Sequence, residues 1–203
     1  MIYIFMGGPA TGKGTRSEIL ANHLNIPHIS TGEILRDVSK TDEDLAKRLS
    51  KGKLVPDEEM TSILKARIQK DDCKKGFVLD GYPRTLNQVY ALNSILEELG
   101  RSITKVFELV ISDELALRRI LERKKCEYCG KDYGLDFPPK VEGICDNCGH
   151  KLSKRTDDTK ETLELRIKTY KKNSKEILDY YREVGLLKTV DASNHPEKVI
   201  YDI

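Results

Sequence analysis

The chain has 203 residues, 38% of them apolar and 33% charged, a balance that excludes a disordered or membrane-embedded protein and allows one sizeable core. The 35 basic and 33 acidic residues are interspersed, which gives no bulk support for a nucleic-acid-binding surface. No apolar run approaches the roughly 20 residues of a membrane span. No targeting segment is recognisable, so we expect a cytoplasmic protein without a membrane or nucleic-acid partner.

The N-terminal stretch predicts a phosphate-binding loop. A short apolar strand, Ile2–Met6, precedes the glycine-rich turn Gly7–Thr15, and an amphipathic helix follows, which is the context that a P-loop requires. Glycines let backbone N–H groups point at phosphate oxygens, and Lys13 adds a positive charge. The strict motif has Ser or Thr directly after the lysine, whereas here Gly14 stands there and Thr15 comes next. The lysine and the flanking elements argue against a surface loop that is merely rich in glycine.

The following segments predict a short strand over 26–30 and a helix that carries Arg36, where another phosphate could be bound. From 39 to 53 the chain is polar, and its few apolar residues form a stripe too thin for a core helix. We therefore predict a small helical insertion there. The next helix is predicted to begin near Asp57, with that carboxylate as its N-cap.

A second apolar strand, over 76–80, ends in a carboxylate and a turn that contains Arg84. Ligands in open α/β sheets lie beyond the carboxyl ends of strands, so Asp80 and Arg84 are expected beside the P-loop. An ordinary turn with charged residues is the alternative. The remaining predicted elements are a helix over 85–99, a strand over 106–111, a helix capped by Asp113 that ends in the basic run 118–125, a long helix from 157, a strand over 187–191 and a short helix over 196–201.

Strands that alternate with helices predict a parallel sheet covered on both faces, with polar inserts between its elements. Four cysteines form two CxxC pairs separated by 15 residues, a spacing that lets four thiolates bind one zinc ion. Few apolar residues lie between the pairs, so metal would replace the missing core. A redox pair, disulfides, or His150 as a substitute ligand are the alternatives. The predicted ligands are Cys126, Cys129, Cys145 and Cys148, whereas Cys73 is expected to be structural or incidental.

Taken together, these motifs closely resemble the adenylate kinases in their long form with a zinc-bearing lid. The resemblance rests on Gly7–Thr15, Ser30–Gly32 with Arg36, Lys53–Asp57, Leu79–Arg84 with Gln88, Arg119, Arg123, the four cysteines, Phe137–Lys140, Arg155–Asp158 and Arg166. It implies an α/β fold of the P-loop nucleoside monophosphate kinase type, with a five-stranded parallel sheet and helices on both faces. The implied divisions are core at 1–29, 60–121 and 160–203, a monophosphate-binding insert at 30–59 and a lid at 122–159.

The resemblance also implies reversible phosphoryl transfer from ATP to AMP, giving two ADP, by a monomer with one structural zinc and with Mg²⁺ bound to ATP. No covalent intermediate is expected. Arg123, Arg155 and Arg166 would bridge the two phosphate chains, and Asp80 and Asp158 would support Mg²⁺. The implied ATP contacts are Ala10, Thr11, Gly12, Lys13, Gly14, Thr15, Arg119, Asp132 and Tyr133, and the implied AMP contacts are Thr31, Arg36, Lys53, Leu54, Val55, Gly81, Tyr82, Pro83, Arg84 and Gln88.

Several residues depart from the family pattern. Ala10 replaces a usual glycine, and a positive φ there would strain the backbone by about 1 kcal/mol. Tyr82 replaces phenylalanine and Gly134 replaces a common histidine. Two alternative functions remain at this level. One alternative is a kinase for UMP, CMP or another acceptor; Thr31 and Gln88 argue against it, because in their family contexts they favour adenine. The other is a zinc-ribbon module that binds nucleic acid; the many acidic residues of the lid argue against it.

Overall fold

A computed structural model describes residues 1–50, 55–154 and 158–197. Strands and helices alternate through most of these residues. The strands are β1 (Ile2–Gly7), β2 (His28–Ser30), β3 (Phe77–Asp80), β4 (Lys105–Val110), β5 (Lys124–Cys126), β6 (Asp132–Tyr133), β7 (Leu152–Ser153) and β8 (Leu187–Asp191). The helices are α1 (Lys13–Leu24), α2 (Thr31–Val38), α3 (Glu43–Ser50), α4 (Asp57–Ile68), α5 (Leu86–Glu98), α6 (Asp113–Glu122) and α7 (Lys160–Glu183), with a 3₁₀ turn at Asp71–Cys73.

Five strands form one sheet in the order β2-β3-β1-β4-β8. All neighbouring strands in it are parallel, as the alternating pattern predicted. Strand β1 lies at the centre, and its residue Phe5 pairs with Asp80 of β3. The carboxyl ends of β1 and β3 are therefore neighbours. This register brings the turn after Asp80 to the side of the P-loop, where ligands of open α/β sheets bind.

Apolar clusters cover both faces of the sheet. Successive side chains of a strand point to opposite faces, so Ile4 belongs to the larger cluster with Leu64, while Phe5 belongs to the smaller one with Phe107. The long helix α7 contributes Ile177 to the larger cluster. Within the described ranges, no helix combines the length and the apolar character that crossing a bilayer demands.

The insertion after α2 packs more deeply than its composition predicted. Leu45 of α3 has no exposed surface and belongs to the larger core cluster, and Leu49 packs against that cluster. The predicted helical insertion is present as α3, but the prediction that its apolar stripe is too thin for a core helix was wrong. Full burial of one leucine side chain contributes about 1.5–3 kcal/mol, so a short apolar stripe is enough to hold this helix against the core.

Two predicted helix caps were also wrong. Pro56 occupies the N-cap of α4, and the Asp57 carboxylate instead accepts hydrogen bonds from residues of α5 and its cap. At α6 the cap is Ser112, whose hydroxyl accepts a hydrogen bond from Leu115 N, and Asp113 is the first helical residue. In both cases an acidic side chain suits the first turn of a helix as well as its cap, so residue type alone does not separate the two positions.

The basic run 118–125 was predicted to end a helix, but only its first part is helical, because α6 ends at Glu122 and β5 begins at Lys124. Strands β5, β6 and β7 form a small antiparallel sheet in the order β6-β5-β7. Its apolar cluster consists of Tyr133, Leu152 and cysteine side chains. The predicted C-terminal helix is described only at its first two residues, and the remainder lies outside the described residues.

Candidate nucleotide site and cysteine cluster

A cavity of about 1210 Å³ opens at the carboxyl edge of the parallel sheet. The loop from Gly7 to Gly12 connects β1 to α1 and forms one wall. Gly7 must be glycine, because its φ is 149° and a Cβ would lie 2.7 Å from the carbonyl oxygen of Leu109. The loop therefore lies against β4, and its backbone lines the cavity where the P-loop was predicted.

The Lys13 ammonium lies under this loop. Its Nζ donates hydrogen bonds to the carbonyl oxygens of Gly7 and Gly8, each at 2.8 Å. Burial lowers the pKa of Lys13 to about 8, although the charge of Asp80 acts in the opposite direction. Neutral carbonyls are weak partners for a buried cation, so a bound anion would stabilise the charged form of Lys13.

Asp80 and Arg84 lie on the adjacent part of the wall, as β1–β3 pairing requires. Asp80 is 9% exposed, and its Oδ1 has no hydrogen-bond partner among the described residues. Arg84 donates from Nε to the carbonyl oxygen of Gly81 at 2.7 Å, and burial lowers the pKa of its guanidinium. The Thr31 hydroxyl donates to the backbone oxygen of Asp80 at 3.2 Å, which ties α2 to the end of β3.

Gln88 is held by partners that dictate the orientation of its amide. Its Nε2 donates to the Asp57 carboxylate at 2.8 Å, and its Oε1 accepts from the backbone N–H of Arg84 at 2.7 Å. Thr85 donates its hydroxyl proton to the other oxygen of Asp57 at 2.7 Å. Because an ionised carboxylate only accepts and a backbone N–H only donates, the reversed amide would face two repulsive contacts.

Arginines from other elements converge on the same cavity. Arg119 forms an ion pair with Asp136, whose Oδ2 lies 3.0 Å from Nη2. Arg123 pairs with the buried Asp158 carboxylate, with 2.7 Å between Nε and Oδ2. Arg16 was not singled out from the sequence, yet it is fully buried behind the P-loop. No local pattern predicted Arg16 or Asp136, since two of the three Arg16 acceptors are more than 170 residues away and Asp136 pairs with an arginine of another element.

The predicted nucleotide residues fall into three groups. The first lines the cavity and comprises Ala10, Gly12, Lys13, Gly14, Thr15, Arg36, Asp80, Gly81, Tyr82, Pro83, Arg84, Arg119, Arg123, Asp132, Tyr133 and Arg166. The second is buried behind the cavity wall and comprises Thr11, Thr31, Val55, Gln88 and Asp158. The third, Lys53, Leu54 and Arg155, lies outside the described residues.

The four predicted metal ligands come together in the small antiparallel sheet and its turns. Their Sγ atoms all lie within 4.8 Å of one another, with 3.4 Å between Cys126 and Cys148 and 3.5 Å between Cys129 and Cys145. Sulfurs at 2.3 Å from one tetrahedral zinc ion would be about 3.8 Å apart. The donor set therefore fits zinc in both chemistry and size.

The surroundings of Cys145 favour its thiolate form. The Tyr133 hydroxyl lies 3.3 Å from the sulfur of Cys145. Burial alone would raise the pKa of the Cys145 thiol, but hydrogen bonds from Tyr133 and from backbone N–H groups lower it to about 6. His150 instead places Nδ1 3.0 Å from the carbonyl oxygen of Cys148 and stacks on Tyr128. Cys73 is buried beside Arg67, away from the cluster.

Comparison with known proteins matches residues 5–186 to the family model described as adenylate kinase. The adenylate kinase of Caldicellulosiruptor bescii is 45% identical over 192 residues, which cover 92% of this chain and 89% of that relative. The adenylate kinase of Staphylococcus aureus strain Mu50 is 45% identical over 208 residues, covering 100% of this chain and 97% of the relative. The one from Caldicellulosiruptor saccharolyticus is 44% identical over 194 residues.

Proposed function

This chain belongs to the adenylate kinase family, and from that premise we propose how its own residues transfer a phosphoryl group from ATP to AMP. Family membership makes it an ATP:AMP phosphotransferase that forms two molecules of ADP, with the reverse reaction in the same site. The observation that carries the assignment of residues is one cavity in which the P-loop, Lys13 and arginines from several elements face each other.

The donor nucleotide is proposed to lie along the P-loop. The backbone from Ala10 to Thr15 would bind its phosphates at the N-terminus of α1, where N–H groups and the helix dipole favour anions. Lys13 would leave the carbonyl oxygens of Gly7 and Gly8 for the outer phosphates. Arg119 would lie against the base, with Asp132 and Tyr133 on the side of the small sheet.

The acceptor nucleotide is proposed to bind on the β3 side. Arg36, Arg84 and the turn Gly81–Pro83 would hold the AMP phosphate, and Thr31, Val55 and Gln88 would surround the base together with Lys53 and Leu54. The fixed Gln88 amide supports adenine as that base. It has one N–H and one lone pair beyond those bonded to Asp57 and Arg84, and this donor and acceptor pattern complements adenine.

The chemistry needs positioning and positive charge, and no covalent intermediate. Negative charge in phosphoryl transfer spreads over the transferred oxygens, so cations fixed in a site that excludes water stabilise the transition state. Arg123 and Arg166 line the cavity, and we propose that they act between the two phosphate sites together with Arg155. Arg123 would then share its guanidinium between Asp158 and the phosphates.

Two carboxylates fit a Mg²⁺ site. Mg²⁺ binds few protein oxygens and keeps waters and phosphates as its other ligands. The buried Oδ1 of Asp80, which has no hydrogen-bond partner among the described residues, suits such a role. Asp158 is proposed as the second carboxylate, because it pairs with Arg123, which lines the same cavity as Asp80. When bound with ATP, Mg²⁺ neutralises charge on the β- and γ-phosphates.

The four cysteines are proposed to hold one structural zinc ion. Four protein ligands leave no coordination position for substrate or an activated water, so this zinc would fold its segment without joining the reaction. We propose residues 122–159 as a lid and 30–59 as the monophosphate-binding insert, with core segments at 1–29, 60–121 and 160–203. We also propose a cytoplasmic monomer that binds ATP, AMP and ADP and no nucleic acid.

The test is a coupled assay of the purified protein with ATP and each of AMP, GMP, UMP and CMP in turn. We expect AMP to be used with the highest kcat/KM and ADP to form at two molecules per AMP consumed. A preference for UMP or CMP would move the protein to another acceptor class. Added RNA or DNA should leave the rate unchanged, and tight binding of either would support the zinc-ribbon alternative instead.

A further inference from the structure

Arg16, in the first turn of α1, joins two loops that are remote in sequence. Its side chain has no exposed surface. Nη1 donates to the backbone oxygen of Thr11 at 2.9 Å, and Nη2 donates to those of Ala192 at 3.0 Å and Asn194 at 2.8 Å. The guanidinium thus holds the P-loop on one side and the loop after β8 on the other.

Burying a guanidinium in this position costs solvation free energy. All three acceptors are neutral carbonyls, and within the described part of the chain no carboxylate forms an ion pair with Arg16. Burial and the adjacent Arg119 guanidinium lower the pKa of Arg16 to about 10, opposed only in part by Asp136. An apolar side chain would pack with less loss of solvation. The use of a guanidinium therefore points to the carbonyl groups that it orients.

On the P-loop, Arg16 sets the direction of one peptide group. The Thr11 carbonyl points at Nη1, and in a trans peptide the N–H of the next residue points the opposite way. That residue is Gly12, which lines the cavity. Its φ is 76°, and a Cβ there would lie 2.1 Å from Nη1 of Arg16. Arg16 and Gly12 thus form a unit that directs an N–H toward the proposed phosphates.

The loop after β8 contacts residues that line the cavity. Arg119 donates to the same Ala192 oxygen, at 3.1 Å. The ring of His195 contacts Phe137 edge to face, with 4.6 Å between centroids, and its Nε2 lies 3.1 Å from the backbone oxygen of Asp136. Leu135 and Phe137 line the cavity, and they give it apolar surface suited to a base.

We propose that Arg16 is a positioning residue for the donor nucleotide, which holds the Thr11–Gly12 peptide and the loop 192–194 in one fixed arrangement so that the phosphates and the base of ATP bind together. It does not touch the acceptor side, since its bonds reach neither β3 nor α5. The inference rests on the proposed placement of ATP along the P-loop.

The test compares Arg16→Met, which retains bulk without donors, with Arg16→Lys, which retains charge and one or two of the bonds. Loss of the charged hydrogen bonds is expected to raise the KM for ATP about tenfold in Arg16→Met, with the KM for AMP changed less than about twofold. Arg16→Lys should fall between wild type and Arg16→Met. Inhibition by inorganic tripolyphosphate, which lacks a base, should weaken less than ATP binding does.

The matched control is Arg67→Met, which removes a partly buried arginine that binds Asp72; neither residue is among those that line the cavity. It should lower the melting temperature and leave both KM values unchanged. Equal changes in the two KM values for Arg16→Met, or a lowered melting temperature alone, would overturn the proposal. If Arg16→Met does not fold, Arg16→Lys decides by the same comparison. Calorimetry measures how much Arg16→Met weakens ATP binding when no acceptor is present. Failure of this proposal can therefore be distinguished from failure of the proposed AMP site.

Discussion

Ala10 stands in the P-loop with φ 60°, a conformation that favours glycine. A residue with a Cβ in the left-handed region is strained by about 1–2 kcal/mol. Replacement by glycine removes that strain but raises the entropy of the unfolded chain, which offsets about 0.4–1 kcal/mol. The Ala10 methyl lies at the cavity edge and fills no core space, so its loss leaves no buried void.

We therefore expect Ala10→Gly to stabilise the protein by about 0.5–1 kcal/mol, which corresponds to a rise in melting temperature of about 1–4 °C for a chain of this size. Thermal melting and urea unfolding followed by circular dichroism measure the change. The Arg119 guanidinium donates a hydrogen bond to the backbone carbonyl oxygen of Ala10, and this acceptor is still present when residue 10 is glycine.

Two substitutions control for the general effect of glycine. Asn25 also has a positive φ, at 52°, but asparagine tolerates it, so Asn25→Gly should change stability by only a few tenths of a kcal/mol. Ala46→Gly, inside α3, should destabilise by about 1 kcal/mol. A lower melting temperature for Ala10→Gly, or a gain no larger than that of Asn25→Gly, would refute the strain at Ala10.

Four further predictions concern charge and metal. Lys13→Met should reduce turnover by orders of magnitude without lowering the melting temperature, because it removes a buried ammonium whose pKa is already depressed. The folded, ligand-free protein should release the Lys13 proton near pH 8, whereas the unfolded chain holds it to about pH 10.5. Between these pH values the unfolded chain binds more protons, so Lys13 makes the free energy of unfolding rise with pH. Binding of ADP at pH 9 should therefore be accompanied by uptake of a proton, which a buffer-dependent binding enthalpy detects. Arg84→Ala should raise the KM for AMP more than that for ATP, and equal increases would contradict its place on the acceptor side. Cys126→Ser or chelation should remove zinc and lower the melting temperature. Elemental analysis measures the zinc content, which Cys73→Ser should leave unchanged. Zinc near zero in wild-type protein with reduced thiols would contradict the site.

The features that sequence predicted correctly depend on short-range rules. The strand and helix pattern around Gly7–Thr15 and the two CxxC pairs follow from spacings that covalent geometry imposes. The parallel direction of the strands follows from the alternation of strands and helices, because a helix between two strands returns the chain to the same edge of the sheet. The errors at Asp57 and Asp113 arose where one residue type suits two neighbouring positions of a helix.

Sequence by itself therefore determined the family, the sheet, the P-loop and the cysteine cluster, since each is written in residues close together along the chain. Tertiary structure alone decided which partners the polar groups take. Arg16 bonds Ala192 across 176 residues, and Gln88 bonds Asp57 across 31. A buried donor or acceptor must find a partner wherever the fold brings one within about 3 Å, and that requirement is met by packing in three dimensions, which no local spacing records.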